Sequence, residues 1–514
     1  MFYEVAGKNV DLSGEVSTED MLKDIIETDQ RSQAKIEMVQ GTNYYSTVND
    51  ILNRDFREFY VDGNKYIDYN KSNDCIVNNL HKKLIDQKQG YICGKALTIK
   101  CKDEQLLAKV NELLGDDFND ILNDWVKNAS NKGTEELQPF LDEDGDFKYC
   151  LIPSEQVIYI TDTTYQKNVE QAIRYYEMEF VEDGEIKKRK RVEVWDKEKV
   201  TRYQEVDDDF GNTYYQFIYP NTWGVVINPQ YHWYAYNTNY TDKSQLSTFN
   251  DVDKVGVDLQ SWGKVPLIQL KNNSESRSDL IPIKRYIDAL DIVSSGFIND
   301  LKDLQLAIWV LRGYEGESLG DFMLNLQKFK AIKLSIDDGA SAEPKTMDIP
   351  KEARVALMEW LEGKIYEVGQ GVDEQRISGG SITNVVIKAM YEGLNIKANN
   401  MIIKLKSALQ DFMYFAVEFI NDRDNTSYNY KDINFVFNLS MLSNEKDKAE
   451  TVKTAIEGIL MLKGTMSDET IMKLLIKNAD LGIEIDVAKE IEIVAAEQKK
   501  QLADLGNDMG FGDE

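Results

Sequence analysis

The chain has 514 residues, 42% hydrophobic and 29% charged, with a formal net charge of −29. That balance is globular and too long for one core, so about two to four domains are expected. The longest fully apolar runs are about six residues, as at 306–311, against the ~20 that cross a bilayer, so no membrane span is expected. The start, MFYEVAGKNVDLSGE, shows no basic stretch leading into an apolar one, so no secretory signal is visible and cytoplasmic synthesis follows. The acidity argues against a surface that grips DNA broadly, because such binding needs many Lys and Arg. It leaves two readings open: a wall that surrounds DNA without sticking, or plain solubility of an abundant protein.

Residues 1–40 are polar and mixed in charge, with helical patterning at 21–38, and are expected to form a peripheral arm. Ile76, Leu80, Leu84 and Ile85 mark one helix face, which runs into Gly90 and Gly94 before a strand at 96–100. Residues 103–127 read as another amphipathic helix. From 137 to 270 the chain is β-rich, with strands expected at 147–152, 157–161, 172–181, 186–195, 202–206 and 213–219. Asp183-Gly184 is a strong hairpin turn signal.

Residues 279–311 read as one long helix. Ile283, Ile287, Leu290, Phe297, Leu301, Leu304, Ile308 and Leu311 form a heptad-like seam with a polar gap at Ser294. Ser278 or Asp279 can cap its start, Pro282 suits its first turn, and its length would be about 50 Å. Gly313, Gly316 and Gly320 break the pattern, and 312–349 reads as a small mixed insert with a strand candidate at 331–336. A second helix is expected from Pro350 to Val368, burying Ala353, Leu357, Trp360, Leu361, Ile365 and Val368. Residues 369–381, GQGVDEQRISGGS, read as a flexible polar loop longer than helix connectors usually are. A third helix is expected from about 382 to 419, with a kink at Gly393. Residues 432–437 alternate like a strand. Helices follow at 446–462, 468–477 and 485–502, and the tail GNDMGFGDE looks disordered.

Chemical motifs are few. Cys75, Cys93, Cys101 and Cys150 form no C-x-x-C pair and read as reduced and structural. His81 and His232 are the only histidines, which leaves little for zinc binding or histidine catalysis. Asp209-Phe210-Gly211 matches a kinase triplet without its companion loops and reads as a hairpin turn. Asp142-Glu143-Asp144-Gly145-Asp146 begins like a calcium loop, but Phe147 stands where glycine is required and Pro153 where the closing Glu belongs, so a turn is preferred. No Walker A motif and no G-x-S-x-G elbow occur. No cofactor and no catalytic or metal-binding residue is assigned. Nine Tyr or Trp residues at 214–240 have no Lys or Arg among them, which favours packing over base stacking. Lys187-Lys188-Arg189-Lys190-Arg191 reads as a solvated hairpin edge.

Several segments resemble the SPP1-type phage portal proteins. They are GTNYYSTVNDILNR, NNLHKKLIDQKQGYICGKALTIK (78–100), DEDGDFKYCLIPSEQVIYI (142–160) and, most strongly, WGKVPLIQLKNNSESRSDLIPIKRYIDALDIVSSGFINDL (262–301). IPKEARVALMEWLEGKIYEVGQGVD, SGGSITNVVIKAMYEGLNIKAN and NEKDKAETVKTAIEGILMLKGTMSDETI follow in the family's order. The resemblance implies an α+β portal fold assembled as a homo-oligomeric ring, usually of twelve subunits, at one capsid vertex. It implies a β-rich wing at 41–278, stem helices at 279–311 and 351–368, and a small α/β clip at 312–350. It further implies a tunnel loop at 369–381, a long kinked helix with its connection at 382–431, and an α-helical crown at 432–502.

The implied function is to conduct double-stranded DNA during packaging and ejection, to dock terminase and head-completion proteins, and to nucleate head assembly. On this basis DNA contact is expected from Asp373, Glu374, Gln375, Arg376, Ile377, Ser378, Gly379, Gly380 and Ser381. Contact with the terminase large subunit and the head-completion adaptor is expected from Glu315, Glu317, Asp321, Lys328, Lys330 and Lys333. Subunit packing is expected from Ile287, Leu290, Phe297, Leu301, Leu304, Trp360 and Leu361. Scaffold and major capsid protein would meet the wing and crown side, and no membrane is implied. The location would be the virion, with host cytoplasm during assembly. The alternatives weighed are a carboxylate-metal nuclease acting on phage DNA and a non-portal head-morphogenesis protein.

Overall fold

The computed structural model describes residues 2–5, 8–11, 18–54, 58–61, 64–67, 72–142, 144–162, 168–182, 184–207, 213–217, 230–236, 257–304, 308–312, 341–345, 350–373, 384–439, 453–454, 456–459, 461 and 470–471. They fall into two units: Met1–Asp373 with Gly393–Ser440, and Glu374–Glu392 with Met441–Glu514. The chain mixes helix and antiparallel sheet. The helices are α1 (Thr18–Gln30), α2 (Gln33–Tyr45), α3 (Leu80–Cys93), α4 (Glu104–Leu114), α5 (Phe118–Lys132), α6 (Lys284–Leu304), α7 (Lys351–Gly369) and α8 (Asn384–Asp424).

In the larger unit an eight-stranded sheet runs in the order Thr213–Phe217, Lys199–Asp207, Glu185–Trp195, Val169–Glu182, Val157–Asp162, Phe2–Val5 and Lys8–Asp11, with Gln230–Tyr231 added beside Lys199–Asp207. Period-2 alternation gives it two apolar faces. Ile158, Ile160, Ile173, Tyr175, Val192, Tyr203 and Tyr215 pack against Leu22, Ile25 and Ile26 of α1. Val157, Ala172, Trp195 and Val200 pack on the other side against Val265 and Leu267. The expected peripheral arm is therefore corrected: residues 2–11 extend this sheet, and α1 covers one face of it. The strands there are too short for alternation alone to reveal. The hairpin expected around Gly184 is present, with Glu182 opposite Glu185 and Gly184 at φ +80°, while Asp183 lies outside the described residues. Residues 209–211 lie outside the described residues, between strands that pair Asp207 with Thr213.

A second sheet orders Ile268–Lys271, Thr134–Leu141 and Phe147–Ile152. Its turn is held by the Asp142 carboxylate, which accepts the N–H groups of Asp144 (3.1 Å) and Asp146 (2.9 Å), the local satisfaction expected of an Asx turn. α8 crosses behind this sheet as a core helix. Met401, Leu405, Leu409, Phe412, Phe415, Ala416 and Ile420 are all buried. Its aromatic residues interlock with the sheet: Phe412 with Tyr149 at 5.2 Å between ring centroids, Phe419 with Phe147 at 5.6 Å, and Phe415 with Trp262 at 5.7 Å. The strand expected at 432–437 is Asn434–Val436, paired with Thr98–Lys100 through Phe435 opposite Ile99. This pairing fastens residues 434–436 to the N-terminal half of the chain.

The first long helix is shorter than its seam suggests. α6 ends at Leu304, and Ile308–Arg312 is a strand paired with Ser341–Lys345. The β-branched and aromatic run Ile308-Trp309-Val310 carries strand propensity that the apolar spacing concealed. The strand candidate at 331–336 lies outside the described residues. α6 and α7 pack through Ile283, Ile287, Leu290, Leu361, Ile365 and Tyr366, with Leu84 of α3 and Tyr44 of α2.

A second stripe on α6 is polar and buried: Asp291, Ser295 and Asn299, each 0% exposed. It holds the segment 72–78. The N–H groups of Asp74, Ile76 and Asn78 donate to Asn299 Oδ1, Ser295 Oγ and Asp291 Oδ1, each at 2.8 Å. Residues four apart on a helix rise about 6 Å, and alternate residues of an extended chain rise about 6.6 Å. The three side chains therefore match three alternate amides. Asn299 also donates to the Asp74 carbonyl at 3.0 Å.

The smaller unit is described only at 384–392, where α8 begins, and at 453–454, 456–459, 461 and 470–471. There Lys453 and Glu457 form an ion pair at 3.9 Å, and Ile471 is buried. The rest of the helices expected at 446–462, 468–477 and 485–502, and the tail, lie outside the described residues.

Asn299→Ala would strand the Asp74 N–H and carbonyl without partners. It is expected to lower stability by about 2 kcal/mol, read from denaturant unfolding.

Candidate functional site

α7 stops at Gly369, with Gln370 capping its end and Gly371 to Asp373 following. Gln370 takes the left-handed conformation at φ +56°, and the Gly371 N–H closes the helix end on the Tyr366 carbonyl at 3.0 Å. Both glycines lie against Leu84 of α3: a Cβ at Gly369 would fall 2.7 Å from Leu84 Cδ1, and one at Gly371 would overlap the same side chain. Leu84 is buried, so it has little room to yield. One turn further along α3, Gln87 reads both backbone groups of Val372. Its Nε2 donates to the Val372 carbonyl at 2.7 Å, and its Oε1 accepts the Val372 N–H at 3.1 Å. Val372 is itself buried.

Beside this root lies a buried charge cluster. The Asp279 carboxylate accepts from Asn272 Nδ2 at 2.9 Å and meets the ammonium groups of Lys88 and Lys397, each at 3.1 Å. Lys88 also donates to Asn272 Oδ1, and Lys397 donates to the Gly369 carbonyl at 3.0 Å. Burial alone would raise the Asp279 carboxyl. Lys397 and Lys88 overcome that and hold it well below the usual carboxylate range. Burial pushes the Lys88 ammonium down to about 8, against the pull of Asp279. His81, two turns before Lys88 on α3, donates its Nε2–H to Asn131 Oδ1 at 2.8 Å, the tautomer that an accepting amide oxygen requires. Burial pushes its imidazole down to about 4, so it is neutral near pH 7.

Of the residues expected to touch DNA, Asp373 ends this anchored root, and Glu374, Gln375, Arg376, Ile377, Ser378, Gly379, Gly380 and Ser381 lie outside the described residues. Gly369 to Val372, at the start of the expected loop, pack against Leu84 and Gln87 of α3. Glu315, Glu317, Asp321, Lys328, Lys330 and Lys333 also lie outside the described residues. Ile287, Leu290 and Leu361, expected at a subunit contact, are buried within their own subunit. Phe297 is half-buried under the Arg354 guanidinium, 5.6 Å from its ring centre. Leu301 and Trp360 remain exposed at 48% and 54%, with Leu357 and Ile292 at 43% and 54%. The side chain of Leu304 is not among those described.

The basic run 187–191 lies along Glu185–Trp195, which pairs with Val169–Glu182 over its whole length and with Lys199–Asp207 from Arg191 onward. Lys188 meets Glu179 at 3.4 Å and Lys190 meets Glu205 at 3.7 Å. Tyr215, from the aromatic run, is buried in the core under α1. Asp279 was read as a helix cap, and Lys88, Lys397 and Gln87 were not singled out. The available signal was a lysine at a core position of α3, in step with His81, Ile85 and Ile92.

Residues 23–502 match the family model described as phage portal protein, SPP1 Gp6-like. The portal protein of Bacillus phage SPP1 is 31% identical over 437 residues, 84% of this chain and 79% of that protein. The portal protein of Clostridium phage phiCD119 is 27% identical over 440 residues, 83% of this chain and 87% of that protein. Among solved structures, a chain in the neck of a native GTA particle, computed with C12 symmetry, is similar over 77% of this chain and 89% of its own. Its TM-score is 0.40 at 10% identity, a likeness too distant to bear on fold or assembly.

The buried His81 has a pH signature. Its imidazole is held below the unfolded value of 6.5, so the unfolded chain binds the proton more tightly and stability falls as pH drops from 6.5 toward 4. His81→Gln removes that one contribution and leaves those of other groups in place. The stability difference between the native chain and this variant is expected to shift by about 2 kcal/mol against the native chain between pH 7 and pH 5, measured by urea unfolding. A difference that stays flat across that range would refute the burial of a neutral imidazole.

Proposed function

The chain belongs to the SPP1 Gp6-like family of phage portal proteins, and on that footing we propose that it is the ring-forming subunit at one vertex of a tailed-phage capsid. In this reading a ring of about twelve copies conducts double-stranded DNA during packaging and ejection. It docks the terminase large subunit and the head-completion adaptor, and it nucleates head assembly with scaffold and major capsid protein. The subunit ends in the virion, after assembly in the host cytoplasm.

One structural observation supports the ring beyond the family match. The helix pair α6 and α7 buries one apolar face inside the subunit and leaves Ile292, Leu301, Leu357 and Trp360 exposed. Leu357 and Trp360, three apart on α7, share one face, and large exposed apolar side chains of this kind fit a surface that another copy covers. We take α6 and α7 as the stem, and residues 308–345 as the clip with the terminase and adaptor contacts. We take 374–383 as the DNA-contacting part of the tunnel loop, the large sheet as the wing, and the chain after 439 as the crown. DNA contact would be brief, because Arg376 is the loop's only basic residue and stands next to acidic neighbours in a chain of net charge −29.

Two outcomes test this. Trp360→Asp is expected to leave the isolated subunit folded but to weaken ring formation strongly, seen by size-exclusion chromatography with light scattering and by negative-stain imaging. Deletion of residues 375–380 is expected to leave rings intact and to impair DNA packaging. Loss of rings on deletion would make that loop structural instead.

A further inference from the structure

We propose that Lys397 is a positioning residue that staples together the two flanks of the loop between α7 and α8. Its ammonium bridges two acceptors that the chain brings together only at the base of that loop: the Gly369 carbonyl at 3.0 Å and Asp279 Oδ2 at 3.1 Å. Gly369 ends α7, and Lys397 lies one turn past Gly393 in α8.

The charges explain the arrangement. Two lysines, Lys88 and Lys397, converge on the single carboxylate of Asp279. Asp279 alone would leave one positive charge uncompensated. The C-terminal end of a helix carries a partial negative charge on its unsatisfied carbonyls, and Gly369 presents one of them to Lys397. The cation is therefore shared between an acid at the entry to α6 and the dipole end of α7. Steric fit agrees: Gln370 lies beside Gly393, where a Cβ would stand 3.6 Å from its side chain, so the two flanks are in close approach at the same level. Pinning the ends of a loop removes conformations that a free base would sample. With Gln87 and Leu84 holding the incoming flank, Lys397 ties the outgoing one to it.

The test uses the full-length assembled protein and limited trypsin digestion. Arg376 is the only trypsin site between Lys364 and Lys388, so cleavage there reports freedom of the loop. Lys397→Met is expected to speed that cleavage at least about fivefold through local opening, with an unchanged far-UV spectrum. Lys397→Arg keeps the charge and a donor for Gly369, and should cleave at close to the native rate. If Lys397→Met does not fold, Lys397→Gln serves in its place. Native-rate cleavage in a folded Met or Gln variant, or an Arg variant as fast as Met, overturns the staple. The role of the staple in DNA transport rests on the portal reading above and is measured separately by packaging. Faster cleavage with normal packaging keeps the staple and rejects a role for the staple in transport.

Discussion

The Asp279 carboxylate is the point on which the larger unit is hung. It lies where the chain leaves the strand Ile268–Lys271 and turns into α6, and it is buried with Lys88 from α3 and Asn272, with the half-buried Lys397 from α8 closing the cluster. Desolvating three charged groups is unfavourable, and their mutual attraction offsets this only when the remaining hydrogen bonds are made. Here they are. Each carboxylate oxygen has a partner, Lys88 has Asn272, and Lys397 has the Gly369 carbonyl. Removing Asp279 would leave two ammonium groups without their counter-charge, a change usually severe at about 3–5 kcal/mol. An apolar core at this place could be as stable, but it would not specify the relative register of α3, α6, α7 and α8. The cluster supplies geometry more than strength.

The same division of labour recurs along α6. Its apolar stripe joins α7, and its polar stripe, Asp291, Ser295 and Asn299, joins the segment 72–78. A helix that spends one face on packing and another on reading a backbone is fixed on two sides. Ile292 and Leu301 of the same helix remain exposed. Under the proposed ring assembly a rigid subunit would be an advantage, because angular errors between copies accumulate around a closed circle.

Much of this architecture was legible from periodicity and turn chemistry. The helix face of α3, the β-rich middle, the Asp183-Gly184 hairpin and the pairing of two long helices all follow from apolar spacing and the residues that punctuate it. Three features were not. Ile308 and Leu311 continue a heptad, yet they sit in a strand, because spacing alone does not separate a short helical turn from a strand when both are apolar. The stripe on α6 looks like ordinary solvent-facing polarity until the partner backbone is in place. Lys88 and Lys397 look like surface lysines, since most lysines are, and only tertiary contact shows an acid waiting for them.

The glycines of the loop carry the sharpest lesson. By composition Gly369, Gly371, Gly379 and Gly380 are alike, and four glycines in one connector suggest freedom throughout. Gly369 and Gly371 instead allow close approach: they let the backbone lie on Leu84, and Gln87 then holds Val372 by both of its polar groups. The root behaves as part of the core. Under the proposed portal function, an acidic chain with a single Arg in this loop would touch DNA weakly, a combination that suits guiding a polyanion without holding it.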